Sequence, residues 1–131
     1  MTEFILKKFI LAKRNNLKEV VYWWRGSPLR NFLHVDDLSA SFIYALAKWD
    51  PNDANAPKDI YGENLLYLNV GFGEEISLKD LAEKIASFTK YNGNILWDTD
   101  KHVGTFRKNL DLSRIKSIGW EVKIKLKDGL I

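Results

Sequence analysis

The 131-residue chain is predicted to be an α/β protein because helical and extended patterns alternate along it. In three segments apolar residues recur every three or four positions, as they do on one face of a helix. Between these segments lie short β-branched and aromatic runs bounded by Gly, Pro and Asn, as is typical of strands. The composition is 46% hydrophobic and 28% charged, which is close to the average of globular proteins and unlike that of a disordered or fibrous chain.

The first half of the chain is predicted to contain two helices and two extended pieces. Turn-forming residues such as Gly26 and Pro28 separate them. The expected elements are a helix over 2–15 with Thr2 as its N-cap, a strand over 20–24, an extended piece over 31–35, and a helix that starts at Asp36 or Asp37 as its cap and runs to about residue 48.

The second half begins with a predicted loop over 49–64, where prolines, a glycine and several Asn and Asp residues fall. Ser77 with Asp80 three residues later resembles a capping box, and the apolar positions that follow predict the clearest amphipathic helix of the chain. The other expected elements are strands over 65–70 and 95–97, a short helix from Asp111 to Gly119, and a helical turn from residue 125 onward.

Several classes of protein are excluded by composition. The absence of Cys rules out a disulfide framework, a thiol nucleophile and a zinc-thiolate site. No apolar run reaches the roughly 18 residues of a membrane helix. The first residues lack the order of a secretory signal. The sequence therefore predicts a cytoplasmic protein without a membrane partner.

The net charge of +3 hides an uneven distribution. Residues 1–35 carry a net charge of +5, residues 36–100 one of −7, and residues 101–131 one of +5. Basic ends point to an anionic ligand, either a phosphorylated small molecule or nucleic acid, although solvated surface lysines would give the same count. The acidic middle opposes a continuous nucleic-acid stripe, so no nucleic-acid partner is expected.

Three familiar motifs are better explained by structure than by chemistry. Residues 71–73 read Gly-Phe-Gly but lack the third glycine of a dinucleotide-binding loop, which favours a tight turn. Tyr44 and Lys48 have the Tyr-x-x-x-Lys spacing of short-chain dehydrogenases, yet no glycine-rich loop precedes them, so we interpret the spacing as coincidence. His34 and His102 are the only imidazoles, and no set of His, Asp and Glu residues near them has metal-ligand spacing, so no metal site is expected.

Cationic and aromatic residues are the candidates for binding. Guanidinium forks pair bidentately with phosphate, and ammonium groups supply point charges. Trp23 or Trp24 could stack a base or pack in a core, and alternation along a strand lets only one of them line a cleft. The cationic candidates are Lys8, Arg30, Arg107 and Lys108.

Five blocks together resemble one enzyme family, the GDP-L-fucose synthases, which are GDP-4-keto-6-deoxymannose epimerase-reductases of the extended short-chain dehydrogenases. The blocks occur in the family's order and cover nearly the whole chain. They are Trp23 with SPLRNFLHVDDL at 27–38, NVGFGEEIS at 69–77, WDT at 97–99, GTFRK at 104–108, and residues 110–120.

The resemblance covers only the C-terminal two fifths of such an enzyme. It implies an incomplete C-terminal part of an extended short-chain dehydrogenase, in which the substrate-binding domain is joined by elements that normally complete the Rossmann half. Residues 1–131 are then one substrate-binding portion without an N-terminal dinucleotide-binding domain. The family's N-terminal part holds NADP(H) and the catalytic groups, so we expect no catalytic or cofactor-binding residue here.

Motif matching carries four substrate-binding roles onto this chain. Lys8 matches a substrate-binding Arg of the family, Trp23 a substrate-contacting Trp, and Arg30 an Arg that faces the diphosphate sugar, while Lys108 closes the Gly-Thr-x-Arg-Lys block. The chain also departs from the family. Val103 stands where the family has an acidic residue, which removes a hydrogen bond worth ~1–3 kcal/mol.

The sequence thus predicts the GDP-sugar-binding part of an NADPH-dependent epimerase-reductase that is inactive alone. Its expected partners are GDP-4-keto-6-deoxymannose or GDP-fucose and a separate N-terminal Rossmann half. One alternative is a non-catalytic module that binds nucleotide or GDP-sugar. Another is an interaction fragment that self-associates through exposed apolar surface.

Overall fold

A computed structural model describes residues 2–23, 25–100 and 104–130, apart from the side chains of Thr2 and Trp23. Two compact units are formed, one by residues 2–30 and 75–108 and the other by residues 31–74 and 109–129. The α/β class is confirmed. The elements are α1 Thr2–Arg14, β1 Glu19–Trp23, β2 Leu29–Arg30, α2 Val35–Lys48, β3 Ile76–Ser77, α3 Leu78–Thr89, β4 Asn94–Asp98, α4 Ser113–Ser117 and a 3₁₀ helix Asp128–Leu130.

The first unit contains a two-stranded parallel sheet with helices packed on it. β1 and β4 pair with Tyr22 opposite Trp97, and α1 packs against both β1 and α3. Alternation along β1 buries Val20 and Tyr22 while Val21 between them stays exposed. The buried apolar side chains of this unit are Ile5, Phe9, Ala12, Val20, Tyr22, Leu78, Leu81, Ala82, Ile85, Ala86 and Tyr91.

Both ends of α3 are fixed by local hydrogen bonds. The Ser77 hydroxyl accepts from the Asp80 N–H at 3.0 Å, which confirms Ser77 as the N-cap. It also donates to the Asp80 carboxylate at 2.6 Å, so Asp80 bonds to the Ser77 hydroxyl and not to the Ser77 N–H as in a full capping box. At the other end Lys90 adopts a left-handed conformation with φ 54°, and the Tyr91 N–H donates to the Ala86 carbonyl. Ser77 also belongs to β3, so the N-cap of α3 lies in the strand that pairs with β2.

The extended piece predicted over 31–35 lies two residues earlier, at β2. β2 pairs antiparallel with β3, so that Arg30 lies opposite Ile76. Leu29 also donates its N–H to the Phe106 carbonyl at 2.9 Å. The backbone partners therefore lie beside Leu29 and Arg30, and the chain after residue 31 leads into α2.

The prediction that Asp36 or Asp37 caps α2 is wrong. His34 is the N-cap, because its Nδ1 accepts from the Asp36 N–H at 3.2 Å. Asp37 instead lies buried, and its carboxylate accepts from the N–H groups of Lys123 and Ile124, at 2.8 Å for the closest. This carboxylate ties α2 to the segment after α4.

The second unit has a small core that is formed around α4, and residues of α2 and of the loops pack against it. The predicted loop over 49–64 is confirmed, and the Asp50, Asp53 and Asp59 carboxylates each accept an N–H two residues further on. The core consists of Leu112, Ile115 and Trp120, with Leu33, Tyr44, Leu68, Val70, Ile118 and Val122 packed against it.

Two other predictions for the second unit need correction. Residues 65–70 form no strand, because the part of the chain that the structure describes offers them no ladder partner, and Leu66 and Tyr67 stay exposed. The predicted cap of the short helix also changes. α4 has Leu112 as its N-cap, while the Asp111 carboxylate accepts from the Ser113 N–H, and Gly119 ends the helix with φ 92° as expected.

Candidate functional site

The candidate site is built around β2, which lies between two segments from the distant part of the chain. β3 pairs with one edge of β2. On the other edge Leu29 forms a parallel bridge with Arg107 and bonds to the Phe106 carbonyl. Arg30 and the predicted GTFRK block, about 75 residues apart in sequence, therefore meet in one unit.

Arg30 is held by carbonyl groups on this edge. Its Nη1 donates to the Leu29 carbonyl at 2.7 Å and the Phe106 carbonyl at 3.3 Å, and its Nη2 donates to the Thr105 carbonyl at 2.8 Å. A guanidinium has five N–H donors, and three of them make these contacts. The Nε–H and one Nη2–H have no partner among residues 2–23, 25–100 and 104–130. The group is oriented by the fold and keeps two donors for an anion.

Arg107 forms a fork-to-fork ion pair with Glu75. Its Nε lies 2.9 Å from both carboxylate oxygens, and its Nη2 lies 2.5 Å from Oε2. The hydrogen bonds from Arg107 lower the pKa of Glu75, and the same bonds raise the pKa of Arg107. Arg107 is thus paired with a carboxylate, while the adjacent Lys108 is exposed.

Lys8 is engaged with β1. Its Nζ donates to the Val21 carbonyl and lies 4.9 Å from the ring centroid of Tyr22 and 5.6 Å from that of Phe4. Burial lowers the pKa of Lys8, because the charged form loses water. The ammonium therefore lies over aromatic faces beside the strand that carries Trp23.

Several residues that the sequence analysis singled out are described only in part or not at all. Trp23 is the last residue of β1 and pairs with Asp98 of β4. Its side chain, the whole of Trp24, His102, and the family departure at Val103 lie outside the described residues.

The motifs interpreted as structural have structural partners. The Tyr44 hydroxyl donates to the Ile118 carbonyl at 2.8 Å, which occupies it in the second unit. The Phe72 N–H donates to Asn31 Oδ1 at 2.8 Å, which occupies this backbone donor of the 71–73 turn. Within residues 2–23, 25–100 and 104–130, no cluster of three metal-ligating side chains occurs.

Sequence reasoning missed Glu75, the partner of Arg107. Only the block NVGFGEEIS placed it near the start of a helix, and two adjacent glutamates give no sign of which one turns inward. The side chain of Glu75 is 15% exposed, whereas Glu74 is exposed to solvent. The pairing depends on β3 lying beside β2, a contact between residues that are about 45 positions apart.

The searches of curated proteins and of solved structures both find proteins that act on GDP-sugars, by their names. No protein-family model matches the chain. GDP-L-fucose synthase 1 of Arabidopsis thaliana is 37% identical over 126 residues, covering 96% of this chain and 35% of that protein. The GDP-L-fucose synthase of Escherichia coli (strain K12) is 35% identical over 130 residues, covering 96% of this chain and 38% of that protein. The chain is homologous to the GDP-L-fucose synthases.

A solved structure supports the same relationship. The GDP-mannoheptose C4 reductase from Campylobacter jejuni, solved with NADP bound, matches this chain with a TM-score of 0.80 and 30% identity. The match covers 98% of this chain and 41% of that one. The chain spans about a third of the length of the curated relatives it matches, consistent with a C-terminal portion and a partial α/β fold of the extended short-chain dehydrogenase type.

No helix within the described ranges is long and apolar enough to cross a bilayer. The assignment of residues 1–131 to one substrate-binding portion stays a prediction. So do the substrate-binding roles of Lys8, Trp23, Arg30 and Lys108.

Proposed function

We propose that this chain forms the GDP-sugar-binding portion of an NADPH-dependent epimerase-reductase that acts on GDP-4-keto-6-deoxymannose in the cytoplasm. The observation that carries the proposal is the junction of Arg30 with the 104–108 segment. It joins cations from both basic ends of the chain on one small sheet. The relationship to GDP-L-fucose synthases supports a GDP-sugar as the ligand.

The diphosphate is the part of the ligand that this site fits best. Arg30 retains two N–H donors, and a guanidinium fork matches two phosphate oxygens. Lys108 is exposed and adds a point charge. Lys8 and Trp23 belong to the neighbouring helix and strand, where they would contact the sugar or the base.

The chemistry of the reaction would come from elsewhere. The Phe72 N–H in the 71–73 turn donates to Asn31, and the Tyr44 hydroxyl donates to a backbone carbonyl. NADP(H) and the acid-base groups would therefore be supplied by a dinucleotide-binding portion, on the same or another polypeptide. We expect the 131-residue chain to show no NADPH oxidation by itself, measured as loss of nicotinamide absorbance.

Calorimetry with GDP and guanosine tests the binding role. We expect GDP to bind the 131-residue chain more tightly than guanosine, because the phosphates meet Arg30 and Lys108. The affinity should fall as salt rises, since exposed charges are screened. Equal heats for the two ligands, or no heat at millimolar GDP, would contradict the proposal.

A second candidate function is a non-catalytic interaction role, favoured by α2. The helix buries Asp37 and Ser41, yet Phe42, Ile43 and Leu46 are 60%, 70% and 88% exposed. A helix that is apolar on more than one face is normally buried. We infer that this face is covered by the dinucleotide-binding portion, and that exposure drives self-association without it.

Light scattering distinguishes this role. We expect the 131-residue chain to self-associate at high concentration, and Phe42→Lys with Leu46→Lys to restore the monomer. Ser87→Lys, at an exposed polar position of α3, adds a lysine on a different helix, is the control and should change nothing. A clean monomer of the unmodified chain at high concentration counts against the interaction role.

A further inference from the structure

The Glu75–Arg107 ion pair crosses the strand that carries Arg30. β3 and residue 107 lie on opposite edges of β2, because Arg30 pairs with Ile76 and Leu29 bridges to Arg107. Glu75 directly precedes β3. Its carboxylate nevertheless reaches Arg107 at 2.5–2.9 Å, so the two side chains span β2 from one edge to the other.

Alternation of side chains places this ion pair on one face of the small sheet. In the backbone register, Arg107 lies opposite Leu29, and Ile76 lies opposite Arg30. Glu75 directly precedes Ile76 in the sequence. Glu75 and Arg107 therefore lie on the Leu29 face, and Arg30 projects from the other. Lys108 follows Arg107, so continued extension turns it toward the face of Arg30.

We infer that Glu75 and Arg107 are positioning residues that fix the 104–108 segment across β2, so that Arg30 and Lys108 form a preset pair of cations for a diphosphate. The inference rests on the proposed function. Two contacts act together on the segment, since Arg30 holds the Thr105 and Phe106 carbonyls and Glu75 holds the Arg107 side chain. A preset pair binds an anion with less ordering cost than two separate flexible side chains.

A purely stabilising role fits the exposure of the pair less well. The Arg107 side chain is 58% exposed and that of Glu75 is 15% exposed. An ion pair whose cation is open to solvent contributes little to folding stability. Removal of the pair should therefore leave the unfolding midpoint nearly unchanged. It should release the segment on which Lys108 lies, which lowers the affinity for phosphate-bearing ligands only.

The test is a double-mutant cycle with Arg107→Met and Glu75→Gln in the 131-residue chain. Each single variant should weaken GDP binding about tenfold, the scale of the cost of ordering one flexible side chain on binding. The double variant should lose no more than either single one, because both remove the same contact. The heat with guanosine and the urea midpoint should stay as in the unmodified chain.

A matched ion pair in the second unit provides the control. Arg114 lies 3.4 Å from Asp111, and Arg114→Met should leave GDP binding unchanged. Unaltered GDP affinity in Arg107→Met, or additive losses in the double variant, would overturn the positioning role while leaving the binding proposal intact. If the unmodified chain does not prefer GDP to guanosine, the binding proposal fails and takes this inference with it.

Discussion

Replacing Arg30 with alanine is expected to lower the affinity of the chain for GDP about 100-fold. Two charge-assisted hydrogen bonds to the diphosphate would be lost, at roughly 1.5–3 kcal/mol each before compensation by water. The change also removes the donors to the Thr105 and Phe106 carbonyls, so the segment that carries Lys108 loses an anchor. Calorimetric titration with GDP measures the effect.

Arg25 provides a matched control for this variant. It is an exposed arginine only five residues away and has no role in the proposed site. Arg25→Ala removes the same charge and should change the GDP affinity less than about threefold, the scale of a screened long-range charge. Similar losses in the two variants would show that net charge, and not the Arg30 fork, controls binding.

Phe9→Ala is expected to lower the free energy of unfolding by about 3–5 kcal/mol, the usual cost of truncating a fully buried Phe. Phe9 is 0% exposed, and its ring centroid lies 5.6 Å from that of Tyr22 and 5.3 Å from that of Tyr91. Truncation leaves a cavity where α1 meets the sheet. A loss of this size approaches the whole stability of a small protein, and urea unfolding measures it.

The control for this prediction is Phe88→Ala in α3. Phe88 is 47% exposed, so its truncation should cost less than about 1.5 kcal/mol, because little cavity forms. If Phe9→Ala unfolds at the same urea concentration as the unmodified chain, the packing of α1 against β1 is not the core of the first unit.

The elements with strong local signals could be predicted from the sequence. α3 follows from its Ser77 N-cap and apolar spacing, and β1 from its β-branched and aromatic run. The start of α2 could not be predicted as reliably, because Asp36, Asp37 and His34 all have side chains that can accept an N–H. Which of them caps the helix depends on a tertiary contact, because the N–H groups of Lys123 and Ile124 donate to the Asp37 carboxylate.

The candidate site was only partly visible in the sequence. The resemblance selected Arg30 and Lys108, and the structure joins the chain segments that carry them. Glu75 could not be found in this way, because its partner lies 32 residues away and the pair forms only once β2 is flanked on both edges. This junction brings Arg30 of one basic end together with Arg107 and Lys108 of the other.

Amide chemical-shift mapping of a GDP titration tests the central claim most directly. In the 131-residue chain, the largest shifts are expected at Arg30 and across residues 104–108, with smaller ones in α1 near Lys8. The second-unit core around Leu112 and Trp120 should not respond. Shifts confined to that core, or spread evenly over the chain, would contradict a diphosphate site built on β2.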